Sequence, residues 1–171
     1  FDWYMDQNVR NHKVGLQGGT PLANSATVQT GSSIITDGWT ASTQVLNRGD
    51  VIQFGNVFAV NPQSLASFNR LADFVVTADV TSDSGGNATI PIAINGVGII
   101  TTGPYQNVTV GVANNVAVTI NGASAVTGQR GLAFHEDAFT FASADLPLYG
   151  GLDMADRISD DQDLKMSIRV I

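Results

Sequence analysis

Cysteine is absent from the 171 residues. That excludes disulfides, thiolate metal sites and a thiol nucleophile. Lysine and glutamate are nearly absent too, with Lys13, Lys165 and Glu136 against 14 aspartates. Both are strong helix formers that decorate helix surfaces. Their scarcity argues against a helical fold. No apolar run approaches the roughly 18 residues a membrane helix needs, so no membrane span is expected. Basic clusters are missing at a net charge of −7. A protein that grips nucleic acid needs clustered Lys and Arg to neutralise phosphates. Only 13% of residues are charged. That is low for a free-standing soluble surface and points to surface covered by partners. No signal peptide is visible. The opening on Phe1 and the stop on Ile171 suggest a processed or trimmed chain.

What is present is strand-and-turn chemistry: 18 Gly with abundant Val, Thr and Asn. A domain of about 150 residues buries roughly 70% of its unfolded surface, so a core without covalent staples is feasible. Residues 1–44 read as an extended arm or linker. Phe1, Trp3, Tyr4 and Met5 call for burial, and a polar, Gly-rich stretch follows. Asp37-Gly38 reads as a turn. From 45 to 122 the period is two. The runs 51–54 and 57–60 flank Gly55-Asn56, which reads as a two-residue hairpin loop. Phe74, Val76, Ala78 and Val80 share one strand face, and so do Ile90, Ile92 and Ile94. Pro91 cannot donate to a ladder, which predicts an edge or a bulge there. Val108, Val110 and Val112 alternate, Asn114-Asn115 turn, and Val116, Val118 and Ile120 alternate again. Residues 123–171 add a short helical turn at 132–139 and two strands. The expected fold is mainly β: a small antiparallel β-barrel at 45–122, with strands and a short helix after it.

Several clusters raise the question of chemistry. His135-Glu136-Asp137 has acid–base residue types, but three adjacent side chains do not converge on one ligand. A zinc site would want two histidines at helical spacing, and the other histidine, His12, is far away in the arm. The cluster reads as part of a structural turn, and His135→Ala is expected to cost stability rather than turnover. Arg48-Gly49-Asp50 reads as a turn before a strand. Five aspartates between 153 and 163 lack the spacing of a calcium loop and read as a solvated acidic loop. The sequons at Asn87 and Asn107 read as turn and strand residues. No nucleophile elbow or phosphate-cradling loop is present. No catalytic, cofactor-binding or metal residue is assigned, no cofactor is expected, and the reading is not that of an enzyme.

A resemblance goes further. DWYMDQNV at 2–9, GSSIITDGWTAS at 31–42, RGDVIQFGNVFAVNPQS at 48–64, FVVTADVTSDSGGNATIPI at 74–92, GPYQNVTV at 103–110 and LAFHEDAFTFASADLPL at 132–148 occur in that order. With these blocks the chain resembles part of a tailed-bacteriophage major capsid (coat) protein, of the subfamily with a β-barrel insertion domain. The resemblance implies a structural protein without an active site. Many copies self-assemble as capsomers of an icosahedral shell that encloses double-stranded DNA without specific binding. Scaffolding protein and a portal are the implied assembly partners. The implied location is the virion, assembled in the bacterial cytoplasm. Residues 45–122 would be the insertion domain and 123–171 the return into the peripheral domain. Coat proteins of this kind are much longer, so the chain is expected to be a fragment. The alternative reading is a virion or cell-surface β module for binding or decoration. A hydrolase centred on His135 is the third.

Overall fold

Alternating side chains dictate the first layer of structure. In Val51–Phe54 (β5), Ile52 and Phe54 are fully buried, and in Phe74–Val76 (β8), so are Phe74 and Val76. In Ala88–Ala93 (β10), Ala88, Ile90 and Ile92 point inward. In Ser33–Trp39 (β3), Ile34, Thr36 and Trp39 do. Successive strand residues face opposite sides, so one apolar set per strand makes one wall of a core. The computed structural model describes residues 8–94 and 96–131, together with the backbone of two strands at 156–159 and 167–170.

Val118–Asn121 (β11) and Gly19–Ala23 (β2) complete a six-stranded antiparallel sheet in the order β11-β5-β8-β10-β3-β2. The sheet nearly closes on itself. Leu22 bridges Ala117, the Ala23 N–H donates to the Val116 carbonyl at 2.8 Å, and the Asn115 N–H donates to the Ala23 carbonyl at 2.8 Å. Closure removes the open edges that would otherwise template aggregation. Phe54 and Phe74 meet in the interior with ring centroids 5.4 Å apart. The Trp39 indole N–H donates to the Thr36 hydroxyl, which donates to the Ala88 carbonyl, both at 2.8 Å. Burial of these polar groups is thereby satisfied.

Three smaller ladders surround the barrel. Gln44–Leu46 (β4) pairs with Val80–Thr81 (β9), and Phe58–Val60 (β6) pairs with Ser67–Leu71 (β7). Asn11–Lys13 (β1) pairs with Thr127–Gln129 (β12). That last ladder extends in both directions. Val14 N–H donates to the Val126 carbonyl at 3.0 Å, and Arg130 N–H to the Arg10 carbonyl at 3.1 Å. The chain therefore enters and leaves the barrel along a two-stranded stem.

The structure changes several expectations. Gly55-Asn56 is not a hairpin loop, because β5 pairs with β11 and β8 while β6 pairs with β7. Gly55 lacks the positive φ such a loop requires, and the turn hands the chain from one sheet to another. Pro91 is not at an edge, since β10 lies between β8 and β3. It sits where β10 exchanges partners: residues 88–91 pair with β3, and 92–93 with β8. Its carbonyl accepts from Thr77 N–H, just past the end of β8. The missing N–H thus faces a gap in the ladder. Asp37-Gly38 is not a turn. β3 runs through it, and Gly38, at φ 75°, lies at a bulge where β2 sets two residues, Thr20 and Pro21, against this one.

Residues 8–44 are more than an arm. They supply β1, β2, β3 and the start of β4, so the strands of the described unit lie between 11 and 129 rather than 45 and 122. One compact unit spans Phe1–Gly131 and a second Leu132–Ile171. In the second, Asp156–Ser159 (β13) pairs antiparallel with Ser167–Val170 (β14), so part of the expected acidic loop is strand. The described residues contain no helix. The helical turn expected at 132–139 lies outside them.

Candidate functional site

Strand parity singles out one residue. Asp50 immediately precedes β5 and is in phase with Ile52 and Phe54, and like them it is fully buried. A buried carboxylate without partners is strongly unfavourable. Three donors meet this one, two from the stem and one from the turn before β5. His12 Nε2 lies 2.7 Å from Oδ1. Gly15 N–H and Asn47 N–H donate to Oδ2 at 3.0 and 2.8 Å.

The local chain is shaped to deliver that carboxylate. Asp50 N–H donates to the Asn47 carbonyl at 3.0 Å and closes the turn, and Gly49 N–H donates to the Val76 carbonyl at 2.8 Å. Gly49 has φ 95°, where side chains are disfavoured. A Cβ there would also stand 3.3 Å from the His12 ring. The node thus joins the stem, the turn before β5 and the end of β8.

A His–Asp pair is part of a hydrolytic triad, which also needs a hydroxyl on the far imidazole nitrogen. Among the described residues none hydrogen-bonds to His12, and the neighbour on its Nδ1 side is Gly49. The pair acts as a tie between strands. Its burial also removes Asp50 from any outward role of the Arg48-Gly49-Asp50 tripeptide, while Arg48 N–H donates to Asp79 at 2.7 Å.

The other candidates fall into place singly. Asn107 is a strut: its Nδ2 donates to the Gly98 carbonyl at 2.7 Å, and its Oδ1 accepts from Ile100 N–H at 2.9 Å. Asn87 lies in the exposed 83–87 loop and donates through Nδ2 to both Asp83 oxygens at 3.1 and 2.9 Å. Those bonds, first the Asn87 side chain and then its backbone N–H, hold the Asp83 carboxyl below its ordinary value. A shallow depression of about 310 Å³ opens beside this loop, between Ile35, Thr81, Asp83 and Thr89. Its carboxylate is already committed to the loop. Among the described residues no three potential metal ligands cluster. His135, Glu136, Asp137 and the acidic side chains of 153–163 lie outside the described residues.

By sequence alone His12 belongs to an arm and Asp50 to a turn. The missed signal was parity: a charged residue in the buried phase of β5 demands a donor, and His12 is one of two histidines in the chain. No protein-family model matches the chain, and neither does any curated protein.

Proposed function

We propose that this chain is part of a structural major capsid protein of a tailed bacteriophage, with residues 8–131 as the β-barrel inserted into the shell fold. One observation carries the reading. The barrel's incoming and outgoing strands run side by side as β1 and β12, so its two ends are adjacent. A domain inserted into another fold needs adjacent ends. The resemblance of the ordered sequence blocks to coat proteins supports the same reading. Residues 132–171 then return the chain to the peripheral domain of the shell.

In this role many copies associate through repeated, symmetric interfaces. Scaffolding protein and a portal serve assembly, and double-stranded DNA is enclosed without specific binding. The His12–Asp50 node fixes the stem to the barrel. The test is negative-stain electron microscopy of the native material containing this chain. Closed shells tens of nanometres across are expected. Small isolated particles would overturn the capsid reading. They would favour a virion or cell-surface binding or decoration module, for which a nearly closed barrel able to fold alone is also suited.

A further inference from the structure

We propose that Arg10 and Arg130, at the foot of the stem, form a clamp for carboxylates of a second copy of this chain. The proposal rests on the self-association implied by the capsid reading. The register of β1 and β12 places His12 opposite Gly128, and Arg130 N–H bonds the Arg10 carbonyl. The two arginines are therefore directly opposite. Cross-strand partners share a face, with Cβ atoms about 4.5–5.5 Å apart, and like charges so placed repel.

Neither side chain is relieved within the described residues. Arg70 has Asp73 at 3.6 Å, whereas Arg10 and Arg130 have no carboxylate there and are exposed. Two guanidinium forks on one face suit bidentate binding of carboxylates. An anion bound between the two cations would relieve their repulsion.

Charge complementarity identifies the occupant. Copies of a chain carrying −7 repel one another unless specific contacts offset that charge. Residues 132–171 contain eight acidic side chains against three basic ones, a net −5. Five of those acids fall between 153 and 163. This stretch of a neighbouring copy is the densest source of carboxylates in the sequence. Duplex DNA is disfavoured, because a single arginine pair on an acidic protein neutralises too few phosphates.

The test is sedimentation velocity of the full chain at low and high salt. Wild type should self-associate, and less so at high salt, as screening demands. Arg10→Glu with Arg130→Glu should weaken association at least about tenfold, because like charges then face each other across the contact. A second chain carrying Asp160→Arg and Asp161→Arg should be defective alone and restore association when mixed with the first. Both residues of the clamp are exposed, so the variants should keep the wild-type circular dichroism. Arg10→Gln serves as a second check and should not lower thermal stability.

Unchanged association of the charge-reversed chain would overturn the clamp, as would a wild-type chain that stays monomeric at low salt. So would restoration only when all four substitutions sit in one chain, which would place the contact within a molecule. Duplex DNA binding that depends on Arg10 and Arg130, without protein association, would overturn the assigned occupant. Shells that form despite charge reversal would remove the clamp and leave the capsid reading standing. Association restored in mixtures, with native material that contains no shells, would do the reverse.

Discussion

His12 and Asp50, 38 positions apart in sequence, meet at 2.7 Å in the wall between stem and barrel. The carboxylate also takes the N–H groups of Gly15 and Asn47. Removing it would orphan three donors at once. Asp50→Ala should therefore destabilise the barrel, at about 1–3 kcal/mol for each buried donor left unsatisfied. Urea unfolding followed by tryptophan fluorescence measures this. A loss below about 1 kcal/mol would mean that the node is not holding the stem.

Gly15 and Gly128 offer a paired test on the two strands of the stem. A Cβ on Gly15 would lie 2.4 Å from the Val45 carbonyl oxygen and 2.6 Å from Leu46 Cα. Backbone cannot yield as a flexible side chain can. Gly15→Ala should cost about 1–3 kcal/mol or more. A Cβ on Gly128 meets nothing within 4 Å, and its φ is ordinary. Gly128→Ala should be neutral or stabilising by about 0.4–1 kcal/mol, through loss of unfolded-state freedom. Thermal melts of both variants decide the matter, and equal losses would refute the assigned packing.

Phe54→Ala should cost about 3–5 kcal/mol, as expected for emptying a fully buried aromatic site. The Phe74 ring, tilted against it at 5.4 Å, would lose its main aromatic neighbour. Truncating exposed Phe68 on β7 should change stability by less than about 0.5 kcal/mol, as is usual for surface positions. Chemical denaturation of the two variants side by side tests whether the core lies where the barrel places it.

Asp83 carries a pH prediction. Its carboxyl is held below the ordinary 3.8, chiefly by the Asn87 side chain and then by the Asn87 backbone N–H, while desolvation acts the other way. A depressed carboxylate contributes stability that is present above the unfolded value and lost as pH falls through the folded one. Carbon-detected NMR titration should give a midpoint below 3.8. The melting temperatures of wild type and Asp83→Ser should differ above that pH, with wild type higher. They should converge in stronger acid.

Local pattern and three-dimensional pairing divide what could be read in advance. Phe74, Val76, Ile90 and Ile92 announced their burial by period two alone, because each strand has one face in the core. Gly55-Asn56 and Pro91 misled because a turn residue or a missing donor reports local backbone, not which strand comes next to it. Gly38 looked like a turn because a bulge uses the same positive φ. Residues 8–44 lacked sustained periodicity, yet β2 and β3 lie in the sheet. Their order arises from partners far along the chain. The His12–Asp50 tie belongs to the same class, since neither residue has a local reason to find the other.

The near-closure of the barrel between Leu22 and Ala117 also sets a clock. β2 is made early and has β3 beside it almost at once, but its other flank waits for β11. Pairings so distant in sequence form slowly, since loop entropy must be overcome first. During synthesis β2 offers an open hydrogen-bonding edge until the chain has grown past residue 117. The growing chain is exposed to misassociation throughout that interval, and chaperone demand should follow the speed of this one closure.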